Sequence, residues 1–110
     1  MKRGEVRWFT FRPPDKRRPI VILTRNSAIP YLTRLVVVPV TTNVRNIPSE
    51  VLLTPQEDNV HETCVVTLDN IQTVPKDQIG PIITSLSVDR IDEIERSLCF
   101  AVGIDPKRLK

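Results

Sequence analysis

Lys16–Leu23 reads KRRPIVIL: three cations, a proline, then an unbroken aliphatic run. Strands that alternate polar and apolar residues have one wet face, whereas an uninterrupted Ile/Val/Leu run fits a strand covered on both faces. Pro19–Arg25 therefore predicts a buried strand rather than a surface one. Pro19 pushes Arg18 out of the helical region towards extended backbone. Arg18 thus stands where a cationic loop enters a buried strand, which fixes its base.

Working outward, Glu5–Phe11 (EVRWFTF) alternates as a half-buried strand, with Val6, Trp8 and Thr10 on one side and Arg7, Phe9 and Phe11 on the other. Pro13-Pro14 ends it, because proline cannot donate to a ladder. Downstream, Arg34–Thr41 (RLVVVPVT) is a third apolar, β-branched strand, and Pro39 inside it suggests a sheet edge or a bulge. Ser49–Thr54 follows as a fourth strand, Pro55–Glu62 as a polar loop and Thr63–Val74 as a fifth strand with an irregular end. Ile79–Leu86 is a short sixth strand. The C-terminal SVDRIDEIERSLCFAVG predicts a helix. Ser87 is its N-cap, Leu86 and Ile91 stand at staple spacing, Ile91, Ile94 and Leu98 form an apolar stripe, and Gly103 stops it. Six short strands and one helix make an α+β domain over residues 1–110, of the kind that curls into a small barrel.

Charge is unevenly placed. Residues 1–49 hold 10 Lys and Arg against 2 Asp and Glu, a net of +8; residues 50–110 hold 6 against 11, a net of −5. A basic half favours an anionic partner such as nucleic acid, unless folding mixes the two halves. No apolar run approaches the roughly 20 residues of a membrane helix, and the polar N-terminus has no signal-peptide core, so the reading places the chain in the cytoplasm. Cys64 and Cys99, far apart in the chain, form no CxxC pair and have no zinc spacing, and they read as reduced, buried thiols. The single histidine, His61, reads as a surface loop residue. With no glycine-rich phosphate loop, no Ser-His-Asp order and no metal cluster, an enzyme here would work with Arg, Thr, Asp and Asn and no cofactor. Transesterification at an RNA phosphate suits that set. The 2′-hydroxyl is a built-in nucleophile, and the protein supplies position and charge. Arginine's planar fork matches phosphate oxygens. Arg18 and Thr41, the latter ending its strand, are the candidates.

The motifs RGEVRW, RRPIVIL, RLVVVPVT, VVTLDNIQTV and SLSVDRIDEIERSLCFAVG, in that order along nearly the whole chain, resemble the MazF/PemK (Kid) family of toxin endoribonucleases. The resemblance implies an SH3-like barrel of the CcdB/MazF type. It implies a homodimer, metal-independent cleavage of single-stranded RNA to a 2′,3′-cyclic phosphate and a 5′-hydroxyl, and an antitoxin partner acting through a disordered C-terminal segment. It sets the catalytic arginine on Arg18, the strand-end threonine on Thr41 and a contributing acid on Asp69. RNA contacts are expected from Lys16, Arg17, Arg25, Thr42, Thr67 and Asn70. The chain departs from the pattern in two places. The loop at residues 12–17 is short, which opens the groove towards folded substrates such as a tRNA anticodon loop. Gln72 stands where the family carries a cation. A gyrase-directed CcdB-like toxin and a non-catalytic SH3-like binding module are the alternatives. The first lacks the Arg-Pro and Thr pair, and the second needs exposed aromatics for stacking, which are scarce here.

Overall fold

The computed structural model describes residues 1–14 and 16–109. Its strands are β1 (Glu5–Thr10), β2 (Arg17–Ile22), β3 (Arg34–Thr41), β4 (Glu50–Leu53), β5 (Cys64–Thr67), β6 (Gln72–Pro75) and β7 (Ile82–Ser85). Two helices accompany them, α1 (Pro55–Asp58) and α2 (Val88–Val102). All pairings are antiparallel, in the order β4-β5-β3-β2-β1-β7, with β6 also on β3. The sheet curls as expected of the barrel class, with α2 packed on β4 and on the turn Leu68–Asn70.

The aliphatic runs are buried on both faces, as their lack of alternation predicts. Ile20 and Ile22 of β2 join Leu35 and Val37 of β3 in a core with Phe9, Ile29 and Val74. Val21, Val38 and Val40 point the other way, into a core shared with Val6, Leu53, Leu68, Leu86 and Ile94, the last of these on α2. The period-2 pleat divides one continuous run between two cores.

Two strand expectations need correction. Pro39 lies on neither an edge nor a bulge but in the central strand, opposite Ile20. In a strand, a residue's N–H and C=O point to the same side. The Pro39 carbonyl accepts from Thr67 Oγ1 at 2.9 Å, so its missing N–H lies on that side too. There the neighbouring chain breaks. Thr63–Val74 is not one strand: β5 pairs with Val40 and Thr41, β6 pairs with Arg34–Val37, and a 3-10 turn at Leu68–Asn70 spans the gap. The strands number seven because one partner cannot continue past a residue with no donor.

β2 also starts earlier than expected. Arg17 and Arg18 pair with Thr10 and Phe9, so both cations belong to the ladder rather than to the loop before it.

α2 follows its sequence signals. Ser87 Oγ accepts from the Arg90 N–H at 3.2 Å, and Gly103 adopts the left-handed conformation (φ 76°), donating its N–H to helix carbonyls. Gly4 (φ 88°) is needed for a different reason. Its N–H donates to the Ile22 carbonyl and its carbonyl accepts from the Leu86 N–H, and a Cβ there would stand 2.6 Å from Ile91 Cδ1. The glycine lets the N-terminus pass between β2 and α2.

The polar stretch after β4 is not all loop. Thr54 Oγ1 accepts from the Glu57 N–H, and Asp58 Oδ2 accepts from the Thr54 N–H, closing the turn α1. Arg90 of α2 then joins the two segments. Its Nε donates to Asp58 Oδ1 at 2.9 Å, Nη1 to Glu93 at 2.7 Å and Nη2 to Glu57 at 2.9 Å. The Asp58 side chain is only 2% exposed. The Asp58 carboxylate and Glu93 hold the Arg90 guanidinium charged more firmly than usual, against the opposing pull of burial.

Removing one member of a buried ion pair strands the other. Arg90→Ala should lower stability by about 3 kcal/mol, and the melting temperature by more than about 10 °C. Thermal and urea unfolding measure this, and a loss below about 0.5 kcal/mol would show that the cluster does not hold α2 to the α1 turn.

Candidate active site

Registers, rather than sequence proximity, assemble the site. The β2–β3 register runs Ile22↔Val37, Val21↔Val38, Ile20↔Pro39. Continued by two residues, it sets Arg18 opposite Thr41. Side chains directly opposite on antiparallel strands have Cβ atoms roughly 5 Å apart. Both are half-buried, and together they form a rim between two grooves that each of them lines.

The first groove holds about 380 Å³. Lys16, Arg17 and Arg18 line one side, with Trp8 and Pro19; His61, Glu62 and Cys64 line the other; Val40, Thr41 and Thr42 complete it. The Arg17 Cζ sits 4.4 Å from the centre of the Trp8 ring. The ladder explains this contact. Arg17 pairs with Thr10, so Trp8, two residues before Thr10, is its diagonal neighbour on the same face. The guanidinium stiffens the ring and leaves a cation at the groove wall.

The second groove, about 210 Å³, is polar. Besides Arg18 and Thr41 it is lined by Pro39, Asn43, Arg45, Thr67 and Asn70. Arg45 Nε donates to Glu50 Oε2 at 2.8 Å, and the Arg45 N–H donates to Glu50 Oε1. The Thr41 hydroxyl accepts from the Asn43 N–H at 3.3 Å, which keeps its own O–H available to donate outward. Thr67 has already committed its O–H to Pro39, so towards a ligand it can only accept.

Of the residues singled out in the sequence, Arg18 and Thr41 meet at the rim. Lys16, Arg17 and Thr42 line the first groove, and Thr67 and Asn70 the second. Two do not join them. The Asp69 carboxylate accepts from Ser49 Oγ and lines neither groove, because the 3-10 turn directs it to the loop before β4. Arg25 lies in the turn after β2, at the opposite end of that strand from Arg18. The strand from Arg18 to Ile22 alone spans about 13 Å. Gln72 pairs with Val37 in the β6 ladder and also lines neither groove.

The structure adds residues that sequence reading passed over. His61 is exposed as expected, yet it and Glu62 form a groove wall. Asn43 and Arg45 enter through the loop after β3. None had a local signal, since each meets Arg18 only through the β3 and β5 pairings. Among the described residues, no three His, Cys, Asp or Glu side chains come together as a metal site would need.

Both cysteines are free thiols. Burial, with the negative charges of Asp58 and Glu62, pushes the Cys64 thiol from its ordinary value of 9.0 up to about 11. It is therefore an apolar part of the groove near neutral pH and not a nucleophile.

A family model described as PemK-like, MazF-like toxin of type II toxin-antitoxin system matches residues 2–102. The chain is 36% identical over 103 residues to the probable endoribonuclease MazF5 of Mycobacterium tuberculosis, covering 93% of this chain and 89% of that protein. It is 38% identical over 103 residues to the probable endoribonuclease MazF2 of the same organism, covering 94% and 99%. Among solved structures, the Mycobacterium tuberculosis toxin MazF-mt6 superposes with a TM-score of 0.83 at 31% identity, covering 92% of this chain and 98% of that one. A mycobacterial endoribonuclease solved with its cognate antitoxin gives 0.84 at 28% identity, covering 96% and 97%.

The Cys64 shift carries a pH dependence. Its folded value is raised, so the folded state resists deprotonation. The contribution is complete below pH 9.0, where the unfolded thiol still holds its proton, and is lost as pH rises to about 11. Urea unfolding at pH 8 to 11 should show stability declining over that window. The decline should be shallower in Cys64→Ala, whatever that variant's absolute stability; equal slopes would show that the thiol is not protected.

Proposed function

Because the chain belongs to the PemK-like, MazF-like toxin family, we propose that the Arg18–Thr41 rim is where it cuts RNA. The chain is an endoribonuclease toxin of a type II toxin–antitoxin system. The observation that carries the site assignment is the meeting of Arg18 and Thr41, far apart in sequence, at the boundary of two cation-lined grooves.

A single RNA strand crosses the rim with its scissile phosphate on Arg18. The Arg18 guanidinium pairs with two phosphate oxygens, and the Thr41 hydroxyl donates to one of them and fixes its orientation. The 2′-oxygen of the upstream ribose attacks phosphorus as its proton leaves to solvent. The bond from phosphorus to the 5′-oxygen breaks, and that oxygen takes a proton passed through Arg18 and replaced from water. The products are a 2′,3′-cyclic phosphate and a 5′-hydroxyl, with no metal involved. The fixed charge of Arg18 matters most at the doubly charged phosphorane, where a preorganised donor is stronger than mobile water. Asp69, bonded to Ser49, is left out of the proton path. Lys16 and Arg17 attract the strand without touching the reacting atoms, and the short loop before them leaves the groove open at that end.

The partner is a cognate antitoxin. One mycobacterial relative has been solved with its antitoxin. We assign inhibition here to an acidic, disordered C-terminal antitoxin segment that lies in the same positive groove and competes with RNA. The toxin domain, residues 1–110, acts as a homodimer in the cytoplasm. No helix among the described residues is long and apolar enough to cross a membrane.

Arg18→Ala should slow cleavage of single-stranded RNA by about a hundred- to a thousandfold, and Thr41→Ala by roughly tenfold or more, with circular dichroism unchanged. A gel assay with purified protein checks both. Wild-type rates for the two variants would remove this site.

A further inference from the structure

We propose that the first groove is a nucleobase pocket selective for guanine, and that Glu62 decides the selectivity. The inference deepens the endoribonuclease reading and rests on it.

The groove has the parts of a base site. A phosphate on the Arg18–Thr41 rim leaves the base of an adjoining nucleotide to fall to one side. On the side of the first groove it meets the Trp8 ring, already held by Arg17 at 4.4 Å, with the apolar surfaces of Pro19, Val40 and Cys64 beside it. Flipped-out RNA bases are bound in this way, stacked on an aromatic or guanidinium plane and read along an exposed edge. The volume of about 380 Å³ suits a small planar ligand.

Glu62 supplies the reading edge. It is the one carboxylate lining either groove among the described residues, and it makes no hydrogen bond or ion pair with them. Its placement is anchored. The turn α1, four residues before it, is tied to α2 through Asp58 and Arg90, and Cys64, two residues after it, is paired in β5. The backbone on either side of Glu62 is thus held, which keeps its carboxylate within reach of the groove.

A carboxylate in an RNA groove is unfavourable in general, because it repels phosphate. It becomes favourable only towards a base that gives it hydrogen atoms. An ionised carboxylate offers two acceptors and no donor. Guanine presents two adjacent donors, N1–H and the N2 amino group, and can bond both oxygens. Adenine sets the N1 acceptor beside its N6 amino group, cytosine sets the N3 acceptor beside N4, and uracil flanks N3–H with two carbonyls. Each of these turns a lone pair towards the second carboxylate oxygen. The selectivity is therefore partly a penalty against the other three bases.

Two measurements test this. The first titrates full-length protein with each of the four nucleoside 3′-monophosphates, following the Trp8 indole N–H by NMR. GMP should bind at least about tenfold more tightly than AMP, CMP or UMP, the size expected of a bidentate base contact. In Glu62→Gln, whose amide pairs one acceptor with one donor, the preference should fall to within about twofold. Arg18→Ala should weaken all four nucleotides and keep their ratio. The second sequences RNA 5′ ends after cleavage of a randomised pool. Guanine should dominate at one nucleotide flanking the cut, and among the cuts that Glu62→Gln still makes that dominance should be lost. Equal affinities for the four nucleotides, or unchanged guanine dominance in Glu62→Gln, would overturn the proposal. A wild-type protein that prefers GMP but cuts no RNA would support the pocket and count against the cleavage reading.

Discussion

Pro39 has no N–H to donate, and much of the fold is organised around that missing hydrogen bond. It sits in the central strand β3, where a continuous partner on the β5/β6 side would leave an acceptor unsatisfied. The chain resolves this by dividing the partner into β5 and β6 and filling the gap with a side-chain bond from Thr67 to the Pro39 carbonyl. The 3-10 turn that joins the halves puts Leu68 fully inside the α2-facing core and becomes part of the surface on which α2 packs. The same turn brings Asn70 to the second groove and directs Asp69 to Ser49. One proline thus connects strand count, helix seat and groove lining.

The site inherits its order from the two cores. Because β2 and β3 are buried on both faces, their register cannot slip without moving a row of aliphatic side chains from one core to the other. Arg18 and Thr41 lie two residues beyond the last registered pair, so the register that the cores enforce also sets the distance between a guanidinium and a hydroxyl. The groove combines both signs of charge for the same reason. Its cations come from the start of β2 and its carboxylate from the loop before β5, and only the β3 pairings bring these together.

The uneven charge of the sequence is reshaped by folding. Arg90 gathers Glu57, Asp58 and Glu93, and Arg3 pairs with Glu95 at 2.9 Å. Many acids of the C-terminal half are thereby engaged near α2. Lys16, Arg17 and Arg18 remain together at the groove, so the basic half keeps its character there. Two halves of opposite sign fold into one face that attracts anions and one helix held by ion pairs.

Much of this was legible in the residues, and the division follows the range of the forces. Hydrophobic periodicity, the Ser87 and Gly103 caps and the Arg18-Pro19 dipeptide act within a few residues. They determined α2 and the doubly buried strands from the sequence alone, whereas Arg18 and Thr41 were candidates by residue type that the family resemblance selected. Pro39 was visible too, but its consequence was not: whether it marks an edge or a broken neighbour depends on a strand that begins 25 residues later. The same limit applied to His61 and Glu62, polar residues in a polar loop until the β5 pairing carries them opposite Arg17 and Arg18. It applied in reverse to Asp69 and Arg25, which have the right chemistry and the wrong position. Local propensity is written in the chain, whereas which side chains share a groove is decided by long-range register, and that exists only once both cores have closed.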